Sequence, residues 1–166
     1  MDAEQVTATL AEPIAQQLIA SDTPARLAYL GLDGDPRVVP VGFWWTGTDL
    51  AVGTVPASAK VAAIRRSPRV ALTVDTIATP TAPPRTLLVR GAATVEIVDG
   101  VPDGYVDGGR KVTPPEHFAA WEAGVRALYR QMAVITVHPD HAILHDFETT
   151  IPKAVADLVA AHGDPR

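Results

Sequence analysis

Apolar residues recur at every fourth position through residues 4–20, as Val6, Leu10, Ile14 and Leu18, which places them along one helical face. Pro13 within that stripe predicts a helix that is kinked or split. Beyond it the apolar period shortens toward two. Arg26–Leu32 is a short apolar run between the turn signals Ser21-Asp22-Thr23-Pro24 and Asp33-Gly34-Asp35-Pro36, which predicts a strand and a turn. Arg37–Thr46 is dense in Val38, Val39, Val41, Phe43, Trp44 and Trp45; with Gly47-Thr48 and the run Asp49–Val55 it predicts a hairpin. Ser58–Arg66 opens on a residue type suited to capping a helix and stops at Ser67-Pro68, so a short helix is expected there. Arg69–Asp75 alternates as a strand does, and Thr86–Val98 is a long β-branched run in which Gly91 marks a bulge or bend. A Pro/Thr-rich loop, 76–84, lies between them, and 99–115 is rich in Gly, Asp and Pro. Phe118, Trp121, Val125 and Leu128 stand at helical spacing within 115–131. Residues 133–137 and 142–147 read as a final strand or strand pair, and 152–162 as a short helix.

Five or six antiparallel strands with few helices predict a mainly β fold, a closed or half-closed barrel with peripheral helices, because closure removes unpaired strand edges. A length of 166 residues without internal repeat or long linker suits a single domain over 1–166. With 47% hydrophobic and 20% charged residues the chain has the make-up of a globular protein with a packed core. Its net charge of -5 disfavours non-specific binding to a phosphate backbone, so no nucleic-acid partner is expected. The absence of cysteine excludes disulfides and thiolate chemistry. An acidic start, Met1-Asp2-Ala3-Glu4, and the lack of an apolar run of about 18–20 residues lead to the expectation of a cytoplasmic protein without a membrane partner.

The stretch with most chemical content is Thr54-Val55-Pro56-Ala57-Ser58-Ala59-Lys60, a strand end that runs into a helix start. Free backbone N–H groups, the Ser58 hydroxyl and the Lys60 ammonium there form a compact anion site suited to a phosphate. The plainer alternative is that Ser58 only caps the helix and that Arg65, Arg66 and Arg69 are a solvated basic face. Trp44 and Trp45 alternate across a strand, one inward and one outward, for packing or for contact with a ring. His138, His141 and His145 are a possible metal or haem cluster, or simple edge histidines. Serine occurs only at positions 21, 58 and 67, outside any Gly-x-Ser-x-Gly, and neither a P-loop nor a Gly-x-Gly-x-x-Gly motif is present. Asp33/Asp35 and Asp103/Asp107 sit in turn-like sequence, where aspartate serves the backbone.

Read together, Pro36-Arg37-Val38-Val39-Pro40-Val41, Thr54, Ser58-x-Lys60 and Arg65-Arg66-Ser67-Pro68-Arg69-Val70-Ala71-Leu72 resemble the pyridoxamine 5'-phosphate oxidase-like superfamily, over about Arg26 to Val98. The resemblance implies a six-stranded antiparallel split β-barrel and, as cofactor, FMN or the deazaflavin coenzyme F420, with haem a minor alternative. It implies phosphate contacts from Thr54, Ser58 and Lys60, ring contacts from Val39, Pro40 and Val41, and a place near the ring for Thr86. It also implies a homodimer with the cofactor between subunits, acting as an oxidoreductase on a small-molecule substrate, or alternatively a non-catalytic haem or flavin carrier. The chain departs from the authentic oxidase at Ala59, at the Phe43-Trp44-Trp45 cluster and in its carboxy-terminal sequence Ile143–Pro152. No residue stands out as a general acid or base.

Overall fold

A computed structural model of the protein describes residues 1–162. Helix α1 (Ala3–Ala11) is closed by a reciprocal cap in which Asp2 accepts from the Gln5 N–H at 2.8 Å and the Gln5 side chain accepts from Asp2 N–H. Pro13 then opens α2 (Pro13–Ala20), in the first turn where its missing donor costs nothing. The predicted split is therefore observed, and Val6, Leu10 and Leu18 are buried along the stripe.

The strands are β1 (Ala25–Leu30), β2 (Pro36–Val41), β3 (Trp44–Trp45), β4 (Leu50–Thr54), β5 (Arg69–Asp75), β6 (Thr86–Asp99) and β7 (Gln131–His145). The remaining helices are α3 (Ala59–Arg66), α4 (Asp103–Arg110), α5 (Pro115–Leu128) and α6 (Lys153–His162). All seven strands form one antiparallel sheet in the order β2-β1-β5-β6-β7-β4-β3. The expectation of six strands is corrected to seven, and the sheet is not closed, since β2 and β3 remain unpaired edges.

The predicted hairpin turning at Gly47-Thr48 is present, with β3 paired to β4, but its first strand is shorter than expected. Arg37–Thr46 is not one strand: it breaks at Gly42-Phe43, after which Trp44-Trp45 pairs with β4 while β2 pairs only with β1. The two edges of the sheet are thus consecutive in the chain. Val41 and Trp44 can lie no more than about 11 Å apart at 3.8 Å per Cα step, so the sheet must roll until its edges nearly meet. A barrel split along this seam is the consequence. Its interior is filled by Leu27, Val52, Leu72, Val89, Ile135 and Val137, with Val41 and Phe43 entering from either side of the corner.

The last strand pair is a single strand of 15 residues. It continues through Pro139 because the register shifts there: Gly91 pairs with Pro139 and Arg90 with His141, so Asp140 is the extra residue of a bulge, where a missing N–H is tolerated. The Gly/Asp/Pro-rich segment 99–115 contains α4, whose glycines disfavour a helix by propensity alone. Tertiary contact outweighs that cost, since Val106 joins Val101, Phe118 and Met132 in a second cluster beneath α4 and α5.

After β7 the chain turns at Phe147, which has a φ of 57°. Asp146, 3% exposed, holds that turn by accepting from the Thr149 hydroxyl and from the N–H groups of Glu148, Thr149 and Thr150. The Thr149 hydroxyl and these backbone donors keep its carboxyl far below the usual value near 4. Because the folded-state pKa is depressed, this stabilisation is complete above about pH 4 and is lost as pH falls further toward the folded value. Asp146→Ala leaves several donors without an acceptor and is expected to lower stability by about 2 kcal/mol. In urea melts between pH 3 and 7, the native protein should lose more stability on acidification than this variant does.

Candidate functional site

β4 delivers Thr54, half-buried, at its last paired position opposite Ala133, and the chain turns through Ser58 N–H to Val55 O at 3.0 Å before entering α3. Ser58 occupies the N-cap with extended backbone, yet its hydroxyl makes no capping bond. The plainer reading of this serine is therefore not what the geometry displays. Lys60, in the first turn of α3, forms no salt bridge among the described residues. An uncommitted hydroxyl, the first-turn N–H groups and an unpaired ammonium fit a phosphate. Arg66 donates instead to Leu32 O at 3.0 Å, and Arg69 is paired with Asp140.

The other predicted residues fall elsewhere. Val39 lies in register with Leu27 and Val41 with Ala25; both side chains face the core, so only their backbone at the sheet edge is open to a ring. Pro40 points to the opposite, outer face. Thr86 stands between Asp75 and His145 on that outer face, at the far end of the β6–β7 ladder from Ala133 and hence from Thr54. One chain groups Thr54, Ser58 and Lys60 but does not bring Thr86 to them.

Next to Thr54 and Val41, at the seam of the barrel, a cavity of about 330 Å³ opens between the sheet and α4–α5. Phe43, Trp44, Tyr105 and Trp121 wall it, and Lys111 projects into it from the end of α4. The rings lie directly on glycines: a Cβ at Gly104 would sit 2.3 Å from the Trp44 indole, and one at Gly109 would sit 1.9 Å from that of Trp121. Tyr105 and Trp121 are stacked at 6.1 Å with 13° between their planes. Lys111 donates to Ile19 O at 2.8 Å and lies 5.2 Å from the Phe43 ring centre. Burial pushes its ammonium down from the ordinary lysine value. Sequence reading missed Tyr105, Lys111 and Trp121 as site residues; the signal available was the run of glycines in 104–109 beside aromatic residues.

A larger cavity, about 510 Å³, lies beneath α1 and is bounded by Trp45, Asp49 and His138. Trp44 and Trp45 thus do face opposite ways. His138 Nδ1 is 3.0 Å from Asp49 Oδ1 and Nε2 is 3.1 Å from Thr94 Oγ1, so both ring nitrogens have polar partners. No group of three or more metal-ligating side chains exists among the described residues. His141 and His145 share the outer face of β7, four residues and so roughly 13 Å apart along the strand, too far to bind one ion together. His141 Nε2 and His145 Nδ1 are buried without hydrogen-bond partners, and burial with the nearby Arg90 charge lowers the His141 pKa.

A rolled antiparallel sheet split along one seam, with helices at its margin, is the architecture of a split-barrel protein. The chain belongs to the pyridoxamine 5'-phosphate oxidase family, whose sequence pattern matches residues 11–146. Its fold is similar to that of an F420 reductase, with 25% identity and a TM-score of 0.57 over 77% of this chain and 94% of that one. It is also similar to a conserved hypothetical protein of Mycobacterium tuberculosis, with 15% identity and a TM-score of 0.60 over 89% and 86% of the two chains. A haem storage protein of Vibrio cholerae shares the fold at 15% identity, with a TM-score of 0.56 over 80% and 93%. No curated protein sequence matches the chain significantly.

The contact between α4 and the aromatic rings is open to a paired test. Gly109→Ala would gain up to about 1 kcal/mol of helix propensity but forces the Trp121 ring to move, an overpacking cost of about 1–3 kcal/mol, so a net loss of stability is expected. Gly124→Ala in α5, where nothing lies within 4 Å, should instead stabilise by about 0.5–1 kcal/mol. Denaturant melts of both variants, with near-UV circular dichroism to report Trp121, decide the matter.

Proposed function

We propose that the chain binds FMN or coenzyme F420 between two copies of itself and transfers a hydride between the ring and a small organic substrate. The observation that carries this reading is the Ser58 hydroxyl, placed at the start of α3 without a capping bond and two residues before Lys60, which forms no salt bridge among the described residues. Thr54, Ser58 and Lys60 hold the phosphate. Val39, Pro40 and Val41 present the edge of β2 to the ring, and the ring itself supplies the redox chemistry when bound. Membership of the family and the likeness to an F420 reductase support the choice of cofactor class.

Thr86 joins the site from the second copy, consistent with its place at the far end of the ladder. The outer face supports that pairing: Val38 is 65% exposed and Leu30 45% exposed, beside Ala28 and Ala71 in an open groove of about 390 Å³ flanked by Arg37, Arg69 and Arg90. A second reading, a non-catalytic haem carrier, draws on the unpartnered ring nitrogens of His141 and His145 on this same face.

Parallel titrations of the apoprotein with FMN, coenzyme F420 and haemin, followed by absorbance and tryptophan fluorescence, separate these readings. Saturable binding of FMN or F420 is expected, weakened by roughly tenfold or more in Lys60→Gln through loss of a charge-assisted contact. Unchanged affinity in that variant, or binding of haemin alone, would reject the phosphate site. Sedimentation velocity should show a dimer that Val38→Glu converts to monomer; a native monomer would sink the two-copy site.

A further inference from the structure

We propose that the cavity at the barrel seam binds a planar aromatic carboxylate, its rings held against Trp44, Tyr105 and Trp121 and its carboxylate held by Lys111. Aromatic side chains that form a slot select flat, apolar ligands, because both the buried area and the ring quadrupoles favour stacked or edge-on rings. The glycines of α4 are what make the slot: with any side chain at Gly104 or Gly109, the indoles of Trp44 and Trp121 could not lie where they do. Such close seating also holds those rings in place before any ligand arrives, which lowers the ordering cost of binding.

Lys111 gives the slot its polarity. Its ammonium has three N–H donors, of which one is engaged among the described residues, by Ile19 O. The Phe43 ring lies near the charge, and no carboxylate forms a salt bridge with it among the described residues. A half-buried cation with free donors and no counter-ion is most stabilised by an anion that brings its own low-polarity body into the slot. Asp22 also lines the cavity, but from the exposed α2–β1 loop, where water screens it. Assigning this ligand as the substrate rests on the cofactor reading above, since Gly42 and Gly53 place the slot beside Val41 and Thr54. Binding itself does not depend on that reading.

The test uses the full-length protein without added cofactor, 2-naphthoate as probe and the neutral 2-naphthalenemethanol as its matched control, measured by calorimetry and by tryptophan fluorescence. Saturable naphthoate binding is expected, at least about tenfold tighter than the alcohol, and Lys111→Gln should abolish that difference while leaving binding of the alcohol unchanged. Lys111→Arg keeps the charge and should retain the preference for the acid, which separates loss of the anion contact from damage to the fold. Equal binding of acid and alcohol, no binding of either, or naphthoate affinity unaffected by Lys111→Gln would overturn the assignment. FMN and F420 titrations of the same Lys111→Gln protein report the cofactor site separately, so failure of one reading is not mistaken for failure of the other.

Discussion

The chain passes from one edge of a seven-stranded sheet to the other through the dipeptide Gly42-Phe43, and the rest of the molecule depends on that step. A flat sheet of this width cannot have its edges joined by so short a connection. The sheet must roll, and in rolling it encloses the apolar face of every strand. Phe43 enters the interior from the corner itself. Trp44, the next residue, is turned outward onto α4, and the seam becomes the place where an aromatic slot can form.

Against this rolled sheet, β6 and β7 act as the long spine. Their ladder runs from Thr86–His145 to Asp99–Gln131, with β5 paired on one side and β4 on the other. Because they are so long, the two ends of the ladder serve different purposes. One end meets β4 where it delivers Thr54 to the turn that leads into α3. The other carries Thr86, His141 and His145 on an outer face whose apolar patch is uncovered, and on the proposed reading that face belongs to the subunit contact.

The segment inserted between these two strands gives the chain its individuality. α4 and α5 bury a cluster of their own around Met132, and Arg126 ties them together by bonding to Glu122, Asp103 and Val101 O. In an acidic chain, Lys60 and Lys111 stand out because each lies beside a concave or backbone-rich surface without a carboxylate partner among the described residues. Cations left free in this way are the groups an anionic cofactor or ligand can use. Arg69, Arg37 and Arg126, by contrast, are engaged in salt bridges.

Much of the local structure was legible because period and punctuation are local properties. The helical stripe from Val6 to Leu18, the break at Pro13, the bulge at Gly91 and the position of Ser58 at a helix start all follow from the residues themselves. So does the grouping of Thr54, Ser58 and Lys60, which are neighbours in the chain. The sequence by itself did not reveal that Arg37–Thr46 would divide between opposite edges, since strand propensity is silent about which partner a strand finds. Nor did it reveal α4, where packing against Trp44 and Trp121 overrides the poor helix propensity of glycine. Lys111 and Trp121 line one cavity with Trp44 and Gly53 only because α4 and α5 fold back over the sheet. Elements were determined by short-range pattern; strand order, the open seam and the aromatic slot were decided by tertiary structure, because each depends on contacts between residues far apart in the chain.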